Sequence, residues 1–329
     1  MHRKEFLKLS AFGATATVGL PFFLQACSSE TSVASSENLF FKLSLAQWSL
    51  HKSIFGSSIE KGWESMTNLL KTDPQAVFQG SVKPLDFPRI ARQEYGFDAV
   101  EYVTIFYPET TGASDTHIKQ LKETSDQEGV RNVLMMVDQE GALGDPDEKA
   151  RQRAIENHYK WVECAAFLGC HSIRVNAQSQ GAWDKQHDLA ADGLRRLSEH
   201  AQASGINIIV ENHGGLSSNG EWLSSVIASV NMENCGTLPD FGNFRISETE
   251  TFDTYNGMEL LMPFAKGVSA KSYDFGPNGE ETSLDYQRIL NIVKDAGYTS
   301  YIGIEYEGSR LSEADGIRAT RDLLIKHGV

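Results

Sequence analysis

The chain has 329 residues, 40% hydrophobic and 22% charged, a balance that excludes a disordered protein. Its 30 basic and 44 acidic residues leave a formal charge of −14, so capture of nucleic acid or an anionic membrane by charge is disfavoured. Four cysteines with no C-x-x-C pair exclude a disulfide scaffold and a zinc ribbon.

Residues 1–27 read as an address. Arg3, Lys4 and Lys8 stand against one acid, Glu5, and the stretch from Leu9 to Leu24 carries no charge. A basic start followed by an apolar run somewhat short for a membrane span is the layout of an export signal. Arg3-Lys4-Glu5-Phe6-Leu7-Lys8 resembles a twin-arginine motif with Lys in place of the second Arg, and Leu24-Gln25-Ala26-Cys27 resembles a lipobox whose thiol is lipid-modified. An uncleaved apolar anchor is the alternative. Both readings put the protein in the periplasm or cell envelope, attached to a membrane. Cleavage before Cys27 takes the charge from −14 to −16. Residues 28–40, Ser-rich and without periodicity, read as a flexible tether. Cys164, Cys170 and Cys235 are expected as buried free thiols.

From Phe41 onward, short apolar runs alternate with longer amphipathic ones. The strand expectations are 43–50, 99–106, 132–137, 172–177, 207–212, 235–239, 267–273 and 301–306. Helices are expected over 115–127, 146–167, 185–203, 222–230, 284–296 and 312–327, where apolar residues recur at three- and four-residue steps. Gly96, Gly129, Gly169, Gly205 and Gly297 punctuate helix ends shortly before strands. Residues 51–85 are expected to form a helix and a loop over the mouth of the fold. Eight β-α units over residues 41–329 predict an α/β, single-domain (β/α)8 TIM barrel. The rival, a doubly wound open sheet, lacks a Gly-rich turn after its first strand.

Several strands run into acids at their C-terminal ends. Ile208-Ile209-Val210 leads to Glu211, Gly236-Thr237-Leu238-Pro239 to Asp240, Tyr301-Ile302-Gly303-Ile304 to Glu305, and Ala99-Val100 to Glu101. That end is the rim where barrel enzymes do chemistry. Carboxylates gathered there repel one another unless a cation offsets them, so the pattern suggests a divalent metal. One such acid alone is more often a loop residue or cap, and Glu307, sharing a face with Glu305, reads as surface or supporting.

The segments V-E-N-H-G-G, L-P-D-F-G-N-F and G-I-E-Y-E-G resemble the xylose isomerase-like TIM barrels of the sugar phosphate isomerase/epimerase kind, over about residues 41–329. The resemblance implies a divalent ion, Mn²⁺ or Mg²⁺, on Glu211, Asp240 and Glu305, with Glu211 and Glu305 also the acid/base pair and Lys271 neutralising a developing oxyanion. Such barrels often carry H-x-K on strand seven; here the stretch is Ser269-Ala270-Lys271, and a hydroxyl is a poor substitute for imidazole. His213 either supplies a nitrogen to the metal or contacts substrate, and Lys271 is a further candidate for part of the cation's role. Arg174 and Asn176, alternating on strand four, either hold sugar hydroxyls or, for Arg174, form a structural salt bridge. Glu101 is a further candidate for substrate contact. Trp48, Tyr102 and Phe244 either face sugar C–H groups or pack in the core, the latter favoured for Trp48.

The expected activity is metal-assisted isomerisation or epimerisation of a small carbohydrate, a neutral sugar or keto-sugar, through an enediolate. The alternatives are a lyase or hydrolase that splits 3-keto-glycosides by β-elimination, and a non-catalytic sugar-binding lipoprotein. A phosphorylated substrate is disfavoured by the negative charge, by export and by the lack of a Gly-rich phosphate turn.

Overall fold

Eight parallel strands are β1 (Lys42–Ala46), β2 (Ala99–Val103), β3 (Arg131–Met136), β4 (Ser172–Val175), β5 (Asn207–Glu211), β6 (Cys235–Leu238), β7 (Val268–Ser272) and β8 (Tyr301–Tyr306). The computed structural model describes residues 38–329; the expected signal over 1–27, its Cys27 and residues 28–37 of the tether lie outside the described residues. Leu39 and Phe40, the end of the expected tether, pack against the core, and the Phe40 amide donates to the Gly328 carbonyl at 3.3 Å. Among the described residues no helix is long and apolar enough to cross a membrane.

The strands pair in the order β6-β5-β4-β3-β2-β1-β8-β7. The circle closes between β6 and β7 through single parallel bridges, Thr237 with Ala265 and Asp240 with Ser269, in place of a ladder. At that seam the Ser269 amide donates to the Pro239 carbonyl at 2.9 Å and the Phe241 amide to the Ser269 carbonyl at 3.1 Å. The fold is the expected single-domain (β/α)8 barrel, and the seam brings residues 240 and 269 side by side.

Helices α1 (His51–Phe55), α2 (Ser57–Glu60), α3 (Trp63–Thr72) and α4 (Phe87–Gln93) lie between β1 and β2. Then come α5 (Thr116–Glu128), α6 (Glu148–Leu168), α7 (Trp183–Gln202), α8 (Gly220–Val230), α9 (Thr254–Leu261), α10 (Tyr286–Asp295) and α11 (Glu313–His327). Their ends follow local chemistry: the Asp147 carboxylate caps α6 by accepting from the Ala150 amide, and Gly169 ends it with φ +84°. On α10, Tyr286, Ile289, Leu290 and Val293 form the buried stripe that docks it on the sheet.

Four local expectations need correction. Residues 47–50 and 104–106 leave the strands and form 3-10 turns at the rim. Helices α4 and α9 were not foreseen: both are short, one carrying Pro88 in its first turn and the other Gly257 in its middle. Tyr102 is buried with its hydroxyl on Asn132 at 2.6 Å, and Phe244 is buried beside Gly257, so both pack in the core and neither lines the mouth. Trp48, expected in the core, lines the cavity described below. Cys164, Cys170 and Cys235 are buried free thiols, and burial raises the pKa of each.

Candidate active site

A cavity of about 280 Å³ opens at the C-terminal ends of the strands, where alternating side chains of each strand face the barrel axis. Its walls differ. On the β7–β8 side, the apolar run 301–304 carries Glu305 and then Glu307 inward. Lys271 Nζ lies 3.0 Å from Glu305 Oε1 and 3.3 Å from Glu307 Oε2. The Trp48 indole N–H donates to Glu307, and its ring stacks on His51 at 4.8 Å. Trp63 at the start of α3 meets Trp48 edge-on at 6.1 Å and is 52% exposed, the outermost aromatic of the mouth.

Behind this wall sits the seam. The Ser269 hydroxyl lies 2.7 Å from Asp240 Oδ2 and 3.4 Å from Glu305 Oε2, spanning the two acids. Asp240 Oδ1 accepts from the amides of Gly242 and Asn243, each at 2.8 Å. Burial pushes the Asp240 carboxyl up to about 8; Lys271 opposes this, while Glu211 and Glu305 add to it. Glu305 is likewise raised, by burial first, with Lys271 pulling the other way and Glu211 and Glu307 adding to the rise. Burial disfavours the Lys271 ammonium, but Glu305, Asp240 and Glu307 outweigh it and hold its pKa above the usual lysine range.

Across the cavity, Arg174 from β4 is a second buried cation. Its Nε lies 2.8 Å from Glu211 Oε2 and its Nη1 donates to Asp138 Oδ1, which also accepts from Asn176 Nδ2 at 3.0 Å. Burial alone would raise Asp138; Arg174, and after it His213, hold it below the usual carboxylate range. Glu211 Oε1 accepts from Asn243 Nδ2 at 3.0 Å. His213 is exposed and lines the cavity beside these groups.

The expected residues therefore gather, but not all in one role. Glu305, Arg174, Asn176 and His213 line the cavity. Glu211, Asp240 and Lys271 are buried immediately behind it. Arg174 makes the salt bridge while its side chain still borders the cavity, so both of its expected roles are compatible. Glu101 is corrected: it does not line the cavity but fills the barrel interior, where Ser44 Oγ donates to its Oε1 at 2.6 Å. A Cβ on Gly303 would stand 2.4 Å from Glu101 Oε2, so glycine there makes room for the acid. Burial, with Glu305 and Glu211, pushes Glu101 up to about 8, against the Ser44 hydrogen bond.

Sequence reasoning missed Asp138, Trp63 and the direct part played by Glu307. Asp138 had the same signal as the other acids, an apolar strand ending in Met135-Met136-Val137-Asp138.

A metal held by Glu211, Asp240 and Glu305 needs oxygen lone pairs turned to a common point. The three acids do share neighbours, Asn243 between Glu211 and Asp240, Ser269 between Asp240 and Glu305. Yet among the described residues no group of three or more His, Cys, Asp or Glu side chains is arranged to hold a metal ion.

The family model described as xylose isomerase-like TIM barrel matches residues 90–327. Among solved structures, 3-keto-D-glucoside 4-epimerase YcjR from E. coli, in its apo form, is 17% identical with a TM-score of 0.59, over 73% of this chain and 94% of that one. A xylose isomerase-like TIM barrel protein from Mycobacterium smegmatis in complex with magnesium is 16% identical with a TM-score of 0.60, over 88% of this chain and 98% of that one. At these identities the likeness shows the fold. The alpha subunit of 3'-dehydrocarminate deglycosidase from Microbacterium is 40% identical over 55 residues, 17% of this chain and 16% of that subunit, so the match spans about a sixth of that relative's length.

Proposed function

The chain belongs to the xylose isomerase-like TIM barrel family, and from that premise we propose that it is an enzyme of the sugar isomerase/epimerase kind acting on a neutral sugar or keto-sugar. The observation that carries the reading is Glu305, a cavity-lining carboxylate of raised pKa held against Lys271 and facing the Arg174–Asp138–Asn176 cluster.

The chemistry follows from those positions. Glu305 takes the proton from the carbon beside the substrate carbonyl, and its raised pKa makes it a stronger base than an ordinary carboxylate. The electrons move onto the carbonyl oxygen, where Lys271 stabilises the negative charge. Arg174 and Asn176 hold hydroxyls on the far side. Returning the proton to the opposite face gives the epimer, and returning it to the neighbouring carbon gives the isomer. On the opposite wall, His213, exposed to the cavity, is the group able to deliver it. Glu211, hydrogen-bonded by Asn243, close to Arg174 and 1% exposed, acts through the charge of Arg174.

The magnesium in one similar barrel makes a divalent ion the cofactor to test at Glu211, Asp240 and Glu305. The donor set fits it poorly, since Ser269 replaces a nitrogen ligand and lysine and arginine already contact the acids. No step above is routed through a metal.

A second reading is favoured by the short match to a deglycosidase subunit. There the same proton removal, beside the carbonyl of a 3-keto-glycoside, is followed by expulsion of the aglycone, which leaves with the electron pair and gains a proton. Incubation in deuterium oxide with sugars, keto-sugars and 3-keto-glucosides decides. Deuterium at the carbon beside the carbonyl without release of aglycone supports epimerisation, released aglycone supports elimination, and neither product across the panel sinks both.

We also place the enzyme outside the cytoplasm, tethered through a lipid on Cys27. Cys27→Ser should move it from the membrane fraction to the soluble one; unchanged fractionation would refute the lipid anchor.

A further inference from the structure

We infer that this barrel meets the charge of its strand-end acids with its own lysine and arginine, and that Glu211, Asp240 and Glu305 hold no divalent ion. The inference rests on the sugar-acting reading only for what the internal cations do, not for their presence.

Asp240 Oδ1 already receives two backbone amides at 2.8 Å, and its Oδ2 receives the Ser269 hydroxyl at 2.7 Å. Glu305 Oε1 lies 3.0 Å from the Lys271 ammonium, and its Oε2 lies 3.4 Å from the same Ser269 hydroxyl. Glu211 Oε1 receives Asn243, and its Oε2 lies 2.8 Å from Arg174 Nε. Four of the six carboxylate oxygens thus face a protein donor of their own, while Glu305 Oε2 has only the long contact to a hydroxyl whose proton goes to Asp240.

A divalent ion bound by oxygens needs them at roughly 2.0–2.6 Å with their lone pairs toward it. An ion there would also stand near the Lys271 ammonium, and two cations in so buried a space repel strongly. Glu211 Oε2 is loose as well: Arg174 Nε is close, but its N–H does not point along the line, leaving both buried atoms without a hydrogen bond. Two such oxygens on separate acids fall short of the several ligands a divalent ion needs.

Position 269 carries the same message. An imidazole there would add a neutral ligand, whereas the serine donates its O–H to Asp240 Oδ2 at 2.7 Å. The two cations then divide the acids between them. Arg174 serves Asp138 and Glu211, and Lys271 serves Glu305 and Glu307. From behind the cavity wall the ammonium lends its positive charge to the site through Glu305 and Glu307, the electrostatic service a metal would supply.

The test needs no turnover, so it stands or falls apart from the sugar assignment. The full chain, purified without chelators, is assayed for Mn, Mg, Zn, Fe and Co by elemental analysis, and its melting temperature is followed as Mn²⁺ or Zn²⁺ is added. Less than about a tenth of an equivalent per chain and an unmoved melting temperature are expected, since an ion that binds the native state must stabilise it. About one retained equivalent, lost in Asp240→Asn, would overturn the inference. A double variant, Ser269→His with Lys271→Met, should gain Mn²⁺- or Zn²⁺-dependent stabilisation that the parent lacks. A parent stabilised by metal as strongly as that variant would overturn the inference equally.

Discussion

On the β3–β5 side of the cavity Arg174 lies between Asp138 and Glu211; on the β7–β8 side Lys271 lies between Glu305 and Glu307. Each wall buries one cation between two acids, yet the consequences differ. A guanidinium is planar, always charged and directional, so it fixes its neighbours, and Asp138 accordingly stays below the usual carboxylate range. An ammonium is a compact point charge on a flexible stem. Burial raises Glu305 further than Lys271 can lower it, so this carboxylate is more basic than usual, while Lys271 holds Glu307 below the usual range. In the proposed mechanism, holding then falls to the arginine wall and proton abstraction to the lysine wall.

That division can be broken most sharply at Glu305. Glu305→Gln should lower kcat about 10³-fold and abolish deuterium uptake, within the usual range for a lost general base. If Asp138→Asn costs that much and Glu305→Gln little, the walls are assigned the wrong way round. Next come the cations themselves. Lys271→Met should lower kcat about 10²-fold and move the acid limb of the pH profile upward, because Lys271 is what pulls Glu305 and Glu307 down. It should also cost about 3–5 kcal/mol of stability in denaturant unfolding, the usual result of stranding buried charges. Arg174→Lys keeps the charge but loses the fork, so KM should rise more than kcat falls; the reverse split would put chemistry on the arginine side.

A smaller effect concerns the acid beneath both walls. Glu101 is pushed up to about 8, so the folded protein keeps a proton that the unfolded chain releases near pH 4. Native protein then binds more protons than unfolded over that window, and stability falls as pH rises from about 4 to about 8. Glu101→Gln should flatten the decline of melting temperature between pH 5 and 8, and an equally steep decline would refute the assignment. Smallest of all, Trp63→Ala should raise KM a few-fold with little change in melting temperature, since the ring is half exposed at the mouth.

Much of this was legible in the chain, for reasons that differ by residue. All eight strands lie in apolar-rich runs, because parallel strands buried on both faces leave a near-continuous signal, broken here by residues such as Glu101, Arg174 and Lys271. The rim turns at 47–50 and 104–106 were hidden, since those residues are as apolar as the strands they extend. Glu211, Asp240 and Glu305 stood out as acids ending such runs. What they touch did not, because Arg174 meets Asp138 across 36 residues of sequence and Lys271 meets Glu305 across neighbouring strands. Glu101 looked like the other three, but it sits too early in its strand and points into the barrel. Trp63 lies in the insertion before β2, where no periodicity tied it to the cavity.

The bridged junction between β6 and β7 carries a mechanical consequence. A ring stitched by full ladders elsewhere and by isolated links here should breathe along that line first, so hydrogen exchange should release the amides of Phe241 and Ser269 before those of β1 and β8. The weak line runs through Asp240 and ends beside Lys271. A sugar spanning both walls would then work as a clasp, and its binding should slow exchange at these two amides more than anywhere else in the sheet.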